Sequence, residues 1–98
     1  MRFSRIYPAS PEIESKLGEK HGLTLVEVRE AFANRHVVRK AYVDQYGQRR
    51  YYLLGESNAG RLLTVFFVRE GRAIKIITAR DADARERRYF MREVRNRR

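Results

Sequence analysis

Lys20, His21, Arg61, Arg80, Glu86 and Arg87 are side chains of the kinds that can break a phosphodiester without a metal ion. Cleaving RNA that way needs a base for the ribose 2′-hydroxyl proton, cations around the pentavalent phosphate, and an acid for the leaving 5′-oxygen. Arginine and lysine supply cations, a glutamate can orient an arginine or accept a proton, and an unperturbed histidine titrates near neutrality. Each residue also has a plainer reading. Long cationic side chains are mostly solvated, Glu86 three residues after Asp83 fits a capping box, and His21 can cap or pack.

Other chemistries find less to work with. The chain has no cysteine, which excludes disulfides and thiolate metal sites. His21 and His36 lack ligand spacing with each other or with acids, so no metal is expected. No phosphate-binding or dinucleotide glycine pattern occurs, and Ser4, Ser10, Ser15 and Ser57 sit in no nucleophile elbow. No cofactor is expected. The 22 Lys and Arg against 12 Asp and Glu leave a net charge of +10, which favours a polyanion or an acidic protein as partner. No apolar run nears the ~20 residues of a membrane span, and MRFSRIYPASPE has no signal-peptide core. A soluble, cytoplasmic protein with no membrane partner is the expectation.

The elements that must position these residues fall into one domain, 1–98. Ser10-Pro11-Glu12 starts a helix that Gly18 or Gly22 ends. Thr24 and Glu27 start a second, with Leu25, Val28, Ala31 and Phe32 on one face and Asn34 as its stop. Four strand-like runs follow: HVVRKAYV (36–43), RRYYLLG (49–55), RLLTVFFV (61–68) and AIKIITA (73–79). Their short glycine-bearing connections favour antiparallel hairpins. RLLTVFFV, apolar on both faces, should be central. In AIKIITA, strict alternation puts Ile74, Ile76 and Thr78 on one face and Lys75, Ile77 and Ala79 on the other, so the face with Lys75 is partly open. Asp81 or Asp83 caps a last helix with Phe90, Met91 and Val94 inward and Arg85, Arg88, Arg92 and Arg95 in a basic stripe. The expected fold is α+β: an antiparallel sheet of about four strands, two N-terminal helices and one C-terminal helix.

KHGLTLVEVREAF (20–32), GRLLTVFFV (60–68) and IKIITARDADARERRYF (74–90), in that order, resemble the BrnT family of toxins. The likeness covers roughly residues 15 to 90. It implies a RelE-like fold, metal-independent cleavage of RNA, and a cognate DNA-binding antitoxin that occludes the toxin and represses their operon. Under the resemblance Lys20, Arg61, Arg80 and Arg87 would hold and neutralise phosphate. Glu86 would orient those arginines or serve as base, and His21 is the next choice for proton transfer. Apart from the resemblance, Lys75 on the partly open strand face and Arg85, Arg88 and Arg92 on the helix stripe are candidate RNA contacts.

Some positions depart from the family pattern. Gly47-Gln48-Arg49-Arg50 stands where relatives carry Gly-Glu-Glu-Arg, Asp81 where a second basic residue is usual, and Asp83 where threonine is common. The start IYPASPEIESKL departs from a tryptophan-Asp-Pro opening. Two non-catalytic readings stand beside the toxin: a nucleic-acid module whose Tyr51 or Tyr52 stacks bases, and a basic surface made for an acidic protein.

Overall fold

The computed structural model describes residues 5–96, so the MRFS opening lies outside the described residues. The order is β1 (Arg5–Pro8), α1 (Pro11–His21), α2 (Leu25–Ala33), β2 (His36–Val43), β3 (Arg49–Glu56), β4 (Leu62–Glu70), β5 (Ala73–Asp81) and α3 (Ala84–Arg95). Helix ends follow local chemistry. α1 stops at Gly22, whose φ of 60° is left-handed and suits glycine. At α2, Thr24 accepts the Glu27 N–H and Glu27 accepts the Thr24 N–H, both at 3.2 Å. Asp83 and Glu86 close the same box on α3 at 2.8 and 2.9 Å.

The sheet has five strands in the order β1-β5-β4-β3-β2, rather than the expected four. β2 to β5 pair antiparallel, with β4 central as its apolar run implies, but β1 lies parallel to β5, from Arg5 opposite Ala73 to Pro8 opposite Ile76. A four-residue strand ending in proline needs only one ladder, so it fits at an edge. α2 ties it down, since Arg29 donates from Nε and Nη2 to the Ile6 carbonyl. The two N-terminal helices therefore follow a strand instead of opening the fold.

The two faces of the sheet are covered unequally. On one, Leu17, Leu25, Val28 and Phe32 of α1 and α2 pack against Leu53, Leu63, Val65, Phe67, Ile74 and Ile76. β3 presses so close to α2 that a Cβ at Gly55 would lie 2.4 Å from the Ala31 carbonyl oxygen. On the other face α3 covers one end, with Phe90 seated among Val37, Leu54, Leu62 and Ala82. Met91 is not part of that stripe. It is 47% exposed, because one helix crossing the sheet end offers a narrow contact that Phe90, Tyr89 and Val94 fill.

An irregularity in β5 decides where Arg80 points. Phe66 faces Thr78 and Phe67 faces Ile76, so Ile77 is an inserted residue. Ile74 and Ile76 lie in the helix-covered core, and after the bulge Ala79 joins them. Thr78 and Arg80 turn to the other face, opposite Phe66 and Thr64. Strict alternation would have put Thr78 with Ile76 and sent Arg80 beneath α1 and α2; the bulge re-aims it.

Candidate active-site groove

Arg80 ends β5 and meets Glu86 in the first turn of α3. Its Nη1 and Nη2 donate to Glu86 Oε1 and Oε2 at 2.8 and 3.0 Å, a fork-to-fork pair, and Nη1 also donates to the Asp81 carbonyl. Glu86 is held twice, because the same carboxylate caps the Asp83 N–H. Burial pushes the Glu86 carboxyl up, but Arg80, the Asp83 N–H and the Thr64 hydroxyl outweigh it and leave its pKa below the usual carboxylate range. The fully buried Thr64 hydroxyl favours that carboxylate without closing an ordinary hydrogen bond to any described residue. The Arg80 pKa is raised, chiefly by its bond to Glu86. Both members of the pair are charged at neutral pH.

Beside the pair, the uncovered part of the sheet and the flank of α3 enclose a groove of about 580 Å³. Tyr52, Leu54 and Phe66 form its floor, Glu86 and Tyr89 its wall, and Arg85, Arg88 and Arg92 its rim. Arg80 sits 5.8 Å from the centre of the Phe66 ring. Tyr52 and Phe66 lie 6.2 Å apart, tilted by 45°. Burial raises the Tyr52 hydroxyl, helped by neighbouring Tyr89 and Glu86 and opposed by Arg39, so it is neutral at physiological pH. The wall is fixed to β2 by Arg39, which binds the Tyr89 hydroxyl and the Glu93 carboxylate.

Arg61 belongs to the other side of the sheet end. Asp81, next to Arg80 in sequence, pairs across from Leu63 on the helix-covered face. There Arg61 donates from Nε and Nη2 to both Asp81 oxygens at 2.6 and 3.0 Å. It also donates to the carbonyls of Gly22 and His21 at 2.9 and 2.8 Å, and lies 3.5 Å from Glu27. One guanidinium thus ties β4 and β5 to the end of α1 and the start of α2. The Asp81 carboxyl is lowered by its bond to Arg61 first, then by the charges of Arg61, Arg87 and His21. The Arg61 pKa is raised, mostly by Asp81.

The residues singled out from sequence therefore divide. Arg80 and Glu86 meet at the groove, with Arg85, Arg88 and Arg92 on its rim. Arg61, His21 and Arg87 surround Asp81 instead. Lys20 is exposed on the last turn of α1. Lys75 pairs with Glu70 at 2.6 Å near the far end of β5, where Tyr7 donates to the same carboxylate. Of the two tyrosines weighed for stacking, Tyr52 lines the groove while Tyr51 stacks on Phe67 in the core. Phe66 and Tyr89 carry no motif. Phe66 hides in a strand apolar on both faces, and Tyr89 shows itself only by its place one residue before inward Phe90. The turn at Gly47 and Gln48 is held by Asp44, which accepts from the Tyr46 and Gln48 N–H groups and from Arg50.

A sequence model of the ribonuclease toxin BrnT of type II toxin–antitoxin systems matches residues 14–86. The chain belongs to the BrnT family. Its fold is similar to the crystal structure of the Brucella abortus ribonuclease toxin BrnT, with a TM-score of 0.57 and 18% identity, over 82% of this chain and 99% of that one. No curated protein matches the chain. The BrnT segment contains Arg61, Arg80 and Glu86 and ends before Arg87, so most of the rim on α3 lies beyond it. Among the described residues, no helix is long and apolar enough to cross a membrane, and no three metal-ligating side chains gather.

Proposed function

We propose that this BrnT-family chain is a metal-independent endoribonuclease toxin, acting in the cytoplasm and neutralised by a cognate DNA-binding antitoxin. The observation that carries this reading is the Arg80–Glu86 fork at the edge of an aromatic, arginine-rimmed groove. A guanidinium that binds a carboxylate with two parallel N–H groups offers the same geometry to a phosphate. The scissile phosphate takes that fork, and Arg85 and Arg88 offset the charge that builds on its oxygens.

Glu86 has two successive roles. In the free protein it holds Arg80 at the edge of the groove. When phosphate draws Arg80 away, the largest effect lowering the Glu86 pKa goes with it, and the carboxyl becomes more basic than in the free protein. Glu86 so becomes a better base for the 2′-hydroxyl once RNA is bound. The 2′-oxygen attacks phosphorus to form a 2′,3′-cyclic phosphate, the bond from phosphorus to the 5′-oxygen breaks, and the leaving 5′-oxygen takes up the proton that Glu86 accepted. Arg61 serves by fixing the end of β5 through Asp81. The exposed Met91, flanked by Arg88, Arg92 and Arg95 on the outer side of α3, supports an acidic, partly apolar antitoxin segment there.

The test is RNA cleavage by antitoxin-free protein in EDTA, alongside growth on expression with and without the antitoxin. Products with 5′-hydroxyl ends and an arrest relieved by the antitoxin are expected. Intact RNA together with undisturbed growth would sink the reading.

A further inference from the structure

The groove is more than a place for a phosphate. Its floor offers two aromatic rings, Tyr52 and Phe66, both part-buried and inclined to each other at 45°, with Tyr89 on the facing wall. A volume of about 580 Å³ falls within the range of sites that take small organic groups. Polar readers are scarce. The Glu86 carboxylate is taken by Arg80 and the Asp83 N–H, and the Tyr89 oxygen accepts from Arg39, which leaves the Tyr52 and Tyr89 phenol protons as the neutral donors. The rest is flat apolar surface bordered by cations. An RNA base paired in a duplex cannot present its face to such a floor, whereas an unpaired base can.

Resting on the ribonuclease reading, we infer that Tyr52 and Phe66 form a stacking seat for one unpaired nucleobase adjoining the phosphate held by Arg80. The occupant is single-stranded RNA, because the rim is cationic where a backbone would leave the seat and the floor is aromatic where a base would enter it. Arg80, 5.8 Å from the Phe66 ring, links seat and phosphate, so a stacked base fixes which linkage is presented. The seat selects for strandedness and stacking area rather than for hydrogen-bonding edges, and tolerates different bases.

The test uses the full chain and a short 2′-O-methyl oligoribonucleotide, which binds but cannot be cut. Fluorescence anisotropy compares it with the same backbone carrying abasic positions and with its duplex. The parent should bind the strand about tenfold or more tightly than the abasic backbone, the range expected for one stacked base. Phe66→Leu and Tyr52→Leu keep apolar bulk but remove a ring, and should narrow that gap severalfold with unchanged affinity for the abasic backbone. Equal binding of strand and abasic backbone by the parent overturns the seat without any variant. So does an undiminished gap in both leucine variants, or an apolar peptide that displaces the abasic backbone as readily as the strand. Because nothing is cleaved, a parent that stacks bases but fails the cleavage assay would refute the ribonuclease reading and leave the seat standing.

Discussion

Arg80 and Asp81 are neighbours in β5, yet each belongs to an ion pair on a different face of the sheet. Arg80 pairs with Glu86 over an open groove, while Asp81 pairs with Arg61 against the two N-terminal helices. The partners are chemically alike and the distances similar. What separates them is the surroundings. Arg61 also binds two backbone carbonyls at the end of α1, so its donors are directed inward and its loss loosens the frame. Arg80 answers to one carboxylate and to the carbonyl of its own neighbour Asp81, beside an unfilled space, so a better-placed anion can take its fork. In the proposed reading alike pairs then serve frame on one side and site on the other, and a bulge at Ile77 sorts them.

The largest effect that would break this comparison lies at Arg80. Arg80→Ala should lower kcat for RNA cleavage by about a hundredfold to a thousandfold, the usual consequence of removing a transition-state donor. Its melting temperature should stay near that of the parent, and single-turnover rates beside thermal melts check both. On the frame side, Gly55→Ala drives a methyl into the Ala31 carbonyl and should cost about 1–3 kcal/mol or more in urea unfolding. Cleavage per folded molecule should be unaffected.

A smaller effect concerns the rim. Replacing Arg85, Arg88 and Arg92 together by alanine should flatten the salt dependence of single-strand binding by about two units of log–log slope, if each meets one phosphate. An unchanged slope would assign that stripe to a protein partner. The smallest effect on stability is at Glu86. Its folded pKa lies below the usual value, so its contribution to stability is complete above the ordinary carboxylate range and is lost as pH falls through the lowered value. Glu86→Gln should therefore blunt acid destabilisation by no more than about 1 kcal/mol, since Arg80 is partly solvated.

Much of this architecture is legible in the sequence. Thr24 with Glu27 and Asp83 with Glu86 mark helix starts by hydrogen-bonding chemistry local to four residues, and β-branched runs between glycine turns mark the hairpins. The basic stripe on α3 follows from helical spacing alone. Features made by distant partners are less legible. β1 depends on an edge left open by β5, some sixty-odd residues away along the chain. The bulge inserts one apolar residue into an apolar strand, so no pattern betrays it, yet it reverses the phase after Ile76 and so exchanges the faces that Arg80 and Asp81 take. Asp81 itself looks like a helix cap or a lost cation until Arg61 is seen across from it.

The most direct measurement sets Arg61→Ala beside Arg80→Ala, with cleavage of single-stranded RNA in EDTA and urea unfolding recorded for each. Arg61→Ala is expected to lose about 2 kcal/mol of stability, as for broken charged hydrogen bonds, and to keep most cleavage per folded molecule. Arg80→Ala is expected to do the reverse. Should Arg61→Ala abolish cleavage while remaining as stable as the parent, or Arg80→Ala cleave normally, the division between frame and site would be contradicted.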